Sequence, residues 1–522
     1  MNFTKVFVIS YLLLFCVSAV SVSQPVPDWV AVLPGNAPIA YIQYDMVLDL
    51  NNDVYISGYY HDTGSVKGSL LVKFSASGVF QWLASIDSTH YFNQVAVDDS
   101  NNVYITGTSY TNHTIIYLRK YNSSGNLLWQ RLYGTGLTNF SRSIMVDDSG
   151  YIYVSGQTSS SFFTTLKFDW FGNAKWAAID TMANGTGNGN SYVVVDRNYN
   201  VYYAGRSYDS TLKSTLIKYD INGVKQWETS FCGDSNSVHS APSGLRYDDH
   251  GFIYMLASKA NGNGVDDFEV IKYDTSGSLI WRAGSGLTSF RHDPKALAID
   301  KAGNAYVIEN LDPGSGNSSY RTIRYDSSGN LKWARIYSAS IAWNIPKDIE
   351  LDSSGSIYVT GLSQDTLYRN GIATIKYDSS GNEVWIARFN NTVISDDEAK
   401  SLSIDRAGNI LVAGAADLQT ASTIEVIKYS AFTGLNEPFL EPPKIVIFPN
   451  PNSGNFTLNI NRDLVNAQFE LFDLTGRSIL KVKDLIGKSI IVSDHRFATG
   501  IYYYYLTQNN SASAHGKIAI QN

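Results

Sequence analysis

Cysteine is almost missing from this chain: 522 residues hold two, Cys16 and Cys232, so no disulfide framework can carry the fold. Charged residues are sparse at 17%, and the net charge of −7 comes without any basic run, so the electrostatic footprint of a nucleic-acid binder is missing. The main apolar run, residues 6–17, falls short of the roughly 20 residues that span a bilayer. No stretch repeats apolar residues at a spacing of 3.6 over about ten positions, which excludes helical solenoids. Paired-histidine metal spacings and a G-x-S-x-G nucleophile elbow are also lacking. No metal and no cofactor is expected.

What the chain has in quantity is glycine (41), tyrosine (35) and tryptophan (10), the makings of strands and turns. A lysine or arginine stands nine residues before a tryptophan seven times, at Lys73/Trp82, Lys120/Trp129, Lys167/Trp176, Lys218/Trp227, Lys272/Trp281, Arg324/Trp333 and Lys376/Trp385. Eight aspartates, Asp49, Asp98, Asp147, Asp196, Asp248, Asp300, Asp352 and Asp405, lie 49 to 53 residues apart, each six before a tyrosine or, in the last copy, Leu411. A fixed interval in drifting sequence marks one unit copied in tandem. Alternating apolar residues between Gly/Asn/Asp turns give four short strands per unit, the pattern of a propeller blade. The tryptophans are expected to fill the space between adjacent sheets. Segments such as 326–330 and 378–382 read as turns, since they lack the alternating acidic spacing of a calcium loop.

The eighth copy has Asp405 and Lys428 but no tryptophan after them, while Trp29 precedes Asp49 by 20 residues, as the other repeat tryptophans precede their next aspartate. The N-terminal strand is therefore expected to complete the last unit and hide two open sheet edges. The fold class is all-β: an eight-bladed β-propeller closed by an N-terminal strand, followed by a small C-terminal β-sandwich. Residues 1–23 read as a secretory signal, with Lys5 before the apolar run and Ala19, Ser21 and Ser23 after it. A lipoprotein reading of Cys16 is disfavoured by the bulky Phe15 before it. The propeller is assigned to residues 24–434, a Pro-rich linker to 435–444 and a separate domain to 445–522, and a monomer is expected.

Four motifs in that last segment occur in order: Pro449, Asn450, Pro451 and Gly454; Asp473, Gly476 and Arg477; Gly500 and Tyr502; and Lys517. Together they resemble the type A C-terminal sorting domain of the type IX secretion system of Bacteroidota, with Ala498 where that family usually has leucine. The resemblance implies transit through the periplasm, recognition by the type IX machinery, and a secreted or outer-surface protein. The repeats themselves are similar to the bacterial propeller repeats called SBBP repeats, over roughly residues 29–434, a likeness that implies fold and is almost silent on activity. Quinoprotein propellers share an Asp/Gly/Trp turn, but residues 326–329 are one short of that motif and its adjacent cysteine pair is absent.

Within each unit two connections are uniform and two vary, and strand alternation puts both variable ones on one face of the ring. Candidate ligand-binding residues there are Tyr59, Tyr60, His61, His113, Phe290, Arg291, His292, Tyr368 and Arg369, whose rings and guanidinium groups suit stacking on a glycan or insertion into a protein partner. The same pattern also fits loops that drift without function. Carboxylates at Asp266, Asp267, Asp312, Asp396, Asp397 and Glu398 leave open a carbohydrate-active enzyme using an acid/base pair at the mouth of the ring. A purely structural surface protein is the third reading.

Overall fold

The computed structural model describes residues 25–431 and 445–521, apart from 34–39, 63–64, 88–89, 111–113, 135–138, 159–161, 182–189, 209, 234–236, 262–265, 288–289, 315, 340–342, 366, 368, 391–395, 418–421, 474–476, 494–496 and 509–510. Residues 1–23, expected as a signal segment, and 435–444, expected as a linker, lie outside the described residues.

Strands appear where alternation predicts them. The first unit pairs Ala40–Leu48, Val54–Asp62, Ser65–Phe74 and Phe80–Asp87 in sequence order, and the same antiparallel order recurs along the chain. Among the described residues the ring strands form eight sets of four, the fourth and fifth joined by one parallel bridge, Leu212↔His239. The first strands of successive sets touch in a closed series, the last of them, Asp396–Ile404, lying against Ala40–Leu48. The first strand of each set is therefore innermost.

In the last set the fourth place is taken by Trp29–Val32, which pairs with Ser422–Tyr429 through Trp29↔Lys428. The register explains the constant interval. Lys73↔Trp82, Lys120↔Trp129 and Lys376↔Trp385 are direct cross-strand partners, and Lys428↔Trp29 is the same pair made from opposite ends of the chain.

The tryptophans pack against the inter-sheet core as expected, but most stand at its edge. Trp333 and Trp385 are buried, but the other repeat tryptophans are only half-buried. Each of seven rings lies flat against the turn glycine of the following unit. A Cβ on Gly125 would come within 2.7 Å of Trp82, and one on Gly78 within 2.7 Å of Trp29. The indole Nε1 of Trp82 also donates to Ser123 O at 3.1 Å. These rings are latches from one blade to the next, and only glycine leaves room for them. Between the sheets the tryptophans meet a core rich in Val, Ile, Leu and Tyr, such as Tyr55, Leu71, Val103 and Ile105.

The repeat aspartates cap the turn that follows. Asp98 accepts the backbone N–H groups of Ser100 and Asn102 at 2.9 and 2.8 Å, and the Tyr104 hydroxyl at 2.8 Å. That accounts for the six-residue Asp-to-Tyr spacing.

The C-terminal strands, Ile445–Phe448, Asn455–Phe472, Ser478–Ser493, Gly500–Gln508 and Ser511–Ile520, pair as one connected five-stranded sheet. The long second strand changes register repeatedly against the third, and residues from both its ends, Phe456 and Leu471, share a single core with Tyr504 and Ile518.

Candidate functional site

The irregular face is made largely of strand ends. Tyr59, Tyr60 and His61 fall inside Val54–Asp62, so alternation sends them to opposite sides of the sheet. Tyr59 lies 5.3 Å from the exposed ring of Tyr44 and 6.2 Å from His61, centroid to centroid. Tyr60 turns the other way, toward buried Tyr41 at 6.3 Å, and packs against the core. The three consecutive residues thus do two jobs, and Tyr60 is a packing residue.

Residues 290–292 divide in the same way. Phe290 is half-buried, and Arg291 is exposed and paired with Asp266 at 2.7 Å. His292 is a correction to the sequence reading: it is 1% exposed, because the inner strand already begins at Arg291 and its next residue points inward. Its Nδ1 lies 2.7 Å from Glu309 Oε2, and the other oxygen of Glu309 accepts from Arg321 at 2.7 Å. Arg369 is held by Asp365, its Nε donating at 2.7 Å. His113 and Tyr368 lie outside the described residues. The described candidates sit on units 1, 6 and 7 as separate groups.

The carboxylates considered for acid/base chemistry are not brought together. They stand at strand ends in units 5, 6 and 8, and the described ones are engaged locally. Asp266 holds Arg291, Asp267 lies 3.6 Å from Lys259, and Asp312 accepts the Gly314 N–H at 2.8 Å. Burial would raise Glu398, but Lys347 at 2.7 Å and Lys400 hold it below the usual carboxylate range. Asp397 is fully buried and faces Glu425, whose carboxyl burial and the Asp397 charge push up to about 8. Glu425 was not singled out from the sequence, and with no exposed surface it has no route to a polymer substrate.

Sequence reasoning also missed the inner strands. Asp45 in unit 1 and Asp348 in unit 7 each stand four residues before a repeat aspartate, beside a bulge in the inner strand. Asp45 accepts Val95 N–H of unit 2 at 3.1 Å, and Asp348 accepts Leu402 N–H of unit 8 at 2.8 Å. Gln94 does the same for Ile144 at 3.2 Å. Burial pushes Asp45 up to about 7 and Asp348 to about 6, and Glu350 rises to about 7 through burial and the charge of Asp348. Such shifts mark functional candidates, but Asp45 and Asp348 already have both oxygens bound to backbone N–H groups. They tie neighbouring blades together.

Among the described residues no cluster of three His, Cys, Asp or Glu side chains is placed to hold a metal, and no helix is long and apolar enough to cross a membrane.

In the C-terminal unit the described sorting-motif residues are mostly engaged locally. Asn450 Oδ1 accepts Ala519 N–H at 2.8 Å, seating the turn of Pro449 and Pro451 on the last strand, and Asn452 caps Gly454 at 2.8 Å. Arg477 donates to Asp473 at 3.2 Å, while Gly476 lies outside the described residues. Gly500 opens the strand that carries buried Tyr502, whose hydroxyl reaches Ala498 O at 2.9 Å, and Lys517 lies 5.4 Å from the Tyr503 ring.

Residues 446–521 match the family described as a secretion system C-terminal sorting domain. No curated protein matches the chain. Among solved structures it is similar to Sqt1 from Chaetomium thermophilum, at 10% identity over 78% of this chain and 100% of that one, with a TM-score of 0.51. It is also similar to the WD40 domain of SCAP from fission yeast (11% identity, 77% and 98% coverage, TM-score 0.41) and to an ulvan lyase of polysaccharide lyase family PL25 (13%, 78% and 94%, 0.35). The first of these supports the propeller fold and nothing about activity. The sorting domain makes this an exported protein, secreted or held at the outer surface.

Proposed function

We propose that the chain is an eight-bladed propeller delivered by type IX secretion to act outside the cell as a binding module for a glycan or protein, perpendicular in role to its regular, turn-lined face. The observation that carries this reading is the row of rings Tyr44, Tyr59 and His61 on unit 1, tilted against one another by 37° and 32°, with Tyr44 46% exposed. Aromatic rings held by a strand pair cost little entropy to immobilise and offer flat apolar faces to a sugar or a partner loop. The enzyme reading gains no support from Asp266, Asp267, Asp312 and Glu398, each of which is tied to a neighbouring cation or backbone group. Assignment to the SBBP repeats and to Bacteroidota rests on the repeat and tail sequences.

A glycan array probed with the purified protein tests the proposal. A Tyr44→Ala/Tyr59→Ala double variant should bind its hits about tenfold more weakly, a change of about 1.4 kcal/mol, at an unchanged thermal midpoint. Equal binding by the variant would remove this face from consideration.

A further inference from the structure

The regular face breaks its own rule at the junction of units 3 and 4. Four residues after the repeat aspartate, six units carry Asp, Asn or Ser and one carries Phe252, but unit 3 carries Tyr151. At the left-handed turn position, where the other seven units have Asn52, Asn101 or a glycine, unit 4 has Tyr199 at φ 61°. A bulky residue is strained there, and such strain persists where the surroundings hold it. The Tyr199 hydroxyl lies 3.0 Å from Ser149 Oγ of unit 3, so its ring spans the junction.

A third departure concerns the repeat cation. Lys73, Lys120, Lys218, Lys272 and Arg324 each donate to a carbonyl in the next unit's turn, at 2.8 to 3.5 Å, and Lys428 pairs with Asp405 at 2.8 Å. Among the described residues Lys167 and Lys376 do neither, and of the two only Lys167 is buried. The carbonyl open to it, Ile221 O, accepts Trp176 Nε1 at 3.0 Å and no other group among the described residues. Lys167 is 4% exposed, lies 4.4 Å from the Tyr151 ring centroid, and among the described residues has no hydrogen bond or ion pair. Burial lowers its pKa, Asp147 opposes this, and Lys175 lowers it further. A buried ammonium with a second lysine beside it calls for an anion.

The space in front of it is a cavity of about 340 Å³ whose walls include Tyr151, Trp176, Tyr199, Lys167, Lys175 and Asn222. We propose that this cavity binds a small acidic sugar of the uronate class, its carboxylate on Lys167 and Lys175 and its ring against Tyr151, Trp176 and Tyr199. Ser149, Tyr199 and Asn222 supply polar groups for the hydroxyls, which a purely aromatic acid would leave unused. Flat aromatic walls likewise favour a ring over a bare inorganic anion. The site lies on the opposite face from Tyr44 and Tyr59 and stands or falls independently of them.

Titration calorimetry on the full chain with glucuronate, glucose, benzoate and sulfate tests it. Glucuronate should saturate one site, with glucose, benzoate and sulfate each about tenfold weaker or more. Lys167→Met should weaken glucuronate by about tenfold or more while the thermal midpoint holds or rises, because the change removes a buried charge. Lys175→Met, at an exposed position, should weaken it as well and serves if Lys167→Met does not fold. Tyr44→Ala should leave glucuronate binding unaltered. Absence of saturable glucuronate binding, benzoate or sulfate binding as tightly, or wild-type affinity in a folded lysine variant would each overturn the proposal.

Discussion

Glu309→Ala is expected to destabilise the ring by about 3 to 5 kcal/mol, the range for breaking a buried ion pair by removing one partner. Glu309 has no exposed surface, and its two oxygens are divided between His292 and Arg321, each at 2.7 Å. Without the carboxylate, the guanidinium of Arg321, itself 4% exposed, keeps among the described residues only the Ser285 carbonyl at 2.9 Å. The His292 Nε2 already has no partner among the described residues, so the imidazole cannot compensate. Glu309→Gln should cost less, because the amide keeps an acceptor for Arg321. Arg291→Ala, one residue from His292 but in an exposed pair, should cost about 1 kcal/mol or less. Urea denaturation of the three variants orders them, and a Glu309→Ala midpoint no lower than that of Arg291→Ala would refute the buried triad.

Loss of residues 445–522 should have the largest effect on location and almost none on folding. The described strands of that segment pair only with one another and close their own core around Phe469, Leu506 and Ile518. The ring strands gain no hydrogen-bonded partner from them. A truncated chain should therefore show an unchanged denaturation midpoint but collect in the periplasm, with surface signal reduced to background. Surface display of the truncated protein at the level of the full chain would end the sorting assignment.

The repeat was legible because its spacing records a register: a lysine and a tryptophan opposite each other across a tight turn must be a constant number of residues apart. What the spacing did not show was which side of the indole is covered. The latch onto glycine became visible only when one unit was placed against the next. Strand ends were harder still. Tyr60 and His292 look like loop residues by composition, yet backbone pairing runs on through Asp62 and from Arg291, and alternation then decides which side chain is buried. Asp45, Gln94 and Asp348 were readable in principle, since all stand four residues before a repeat aspartate. Their role needed the neighbouring strand that receives them. The pair Asp397 and Glu425 lies on different strands of one blade, a proximity that no periodicity announces.

Hydrogen exchange across residues 425–428 tests ring closure most directly, since among the described residues that segment pairs on its outer side with Trp29–Val32 alone. In the full chain its outward amides should be protected to the same degree as those of Lys376–Tyr377, which face a continuous fourth strand. Trp29→Ala should destabilise the fold by about 3 kcal/mol, the low end for a large ring because the indole is only half-buried, and lower the denaturation midpoint accordingly. Removing residues 25–33 should abolish protection at 425–428 while leaving the inner strands of distant units protected. Full protection at 425–428 in that truncated chain would contradict closure by the N-terminal strand, and with it the eight-bladed ring.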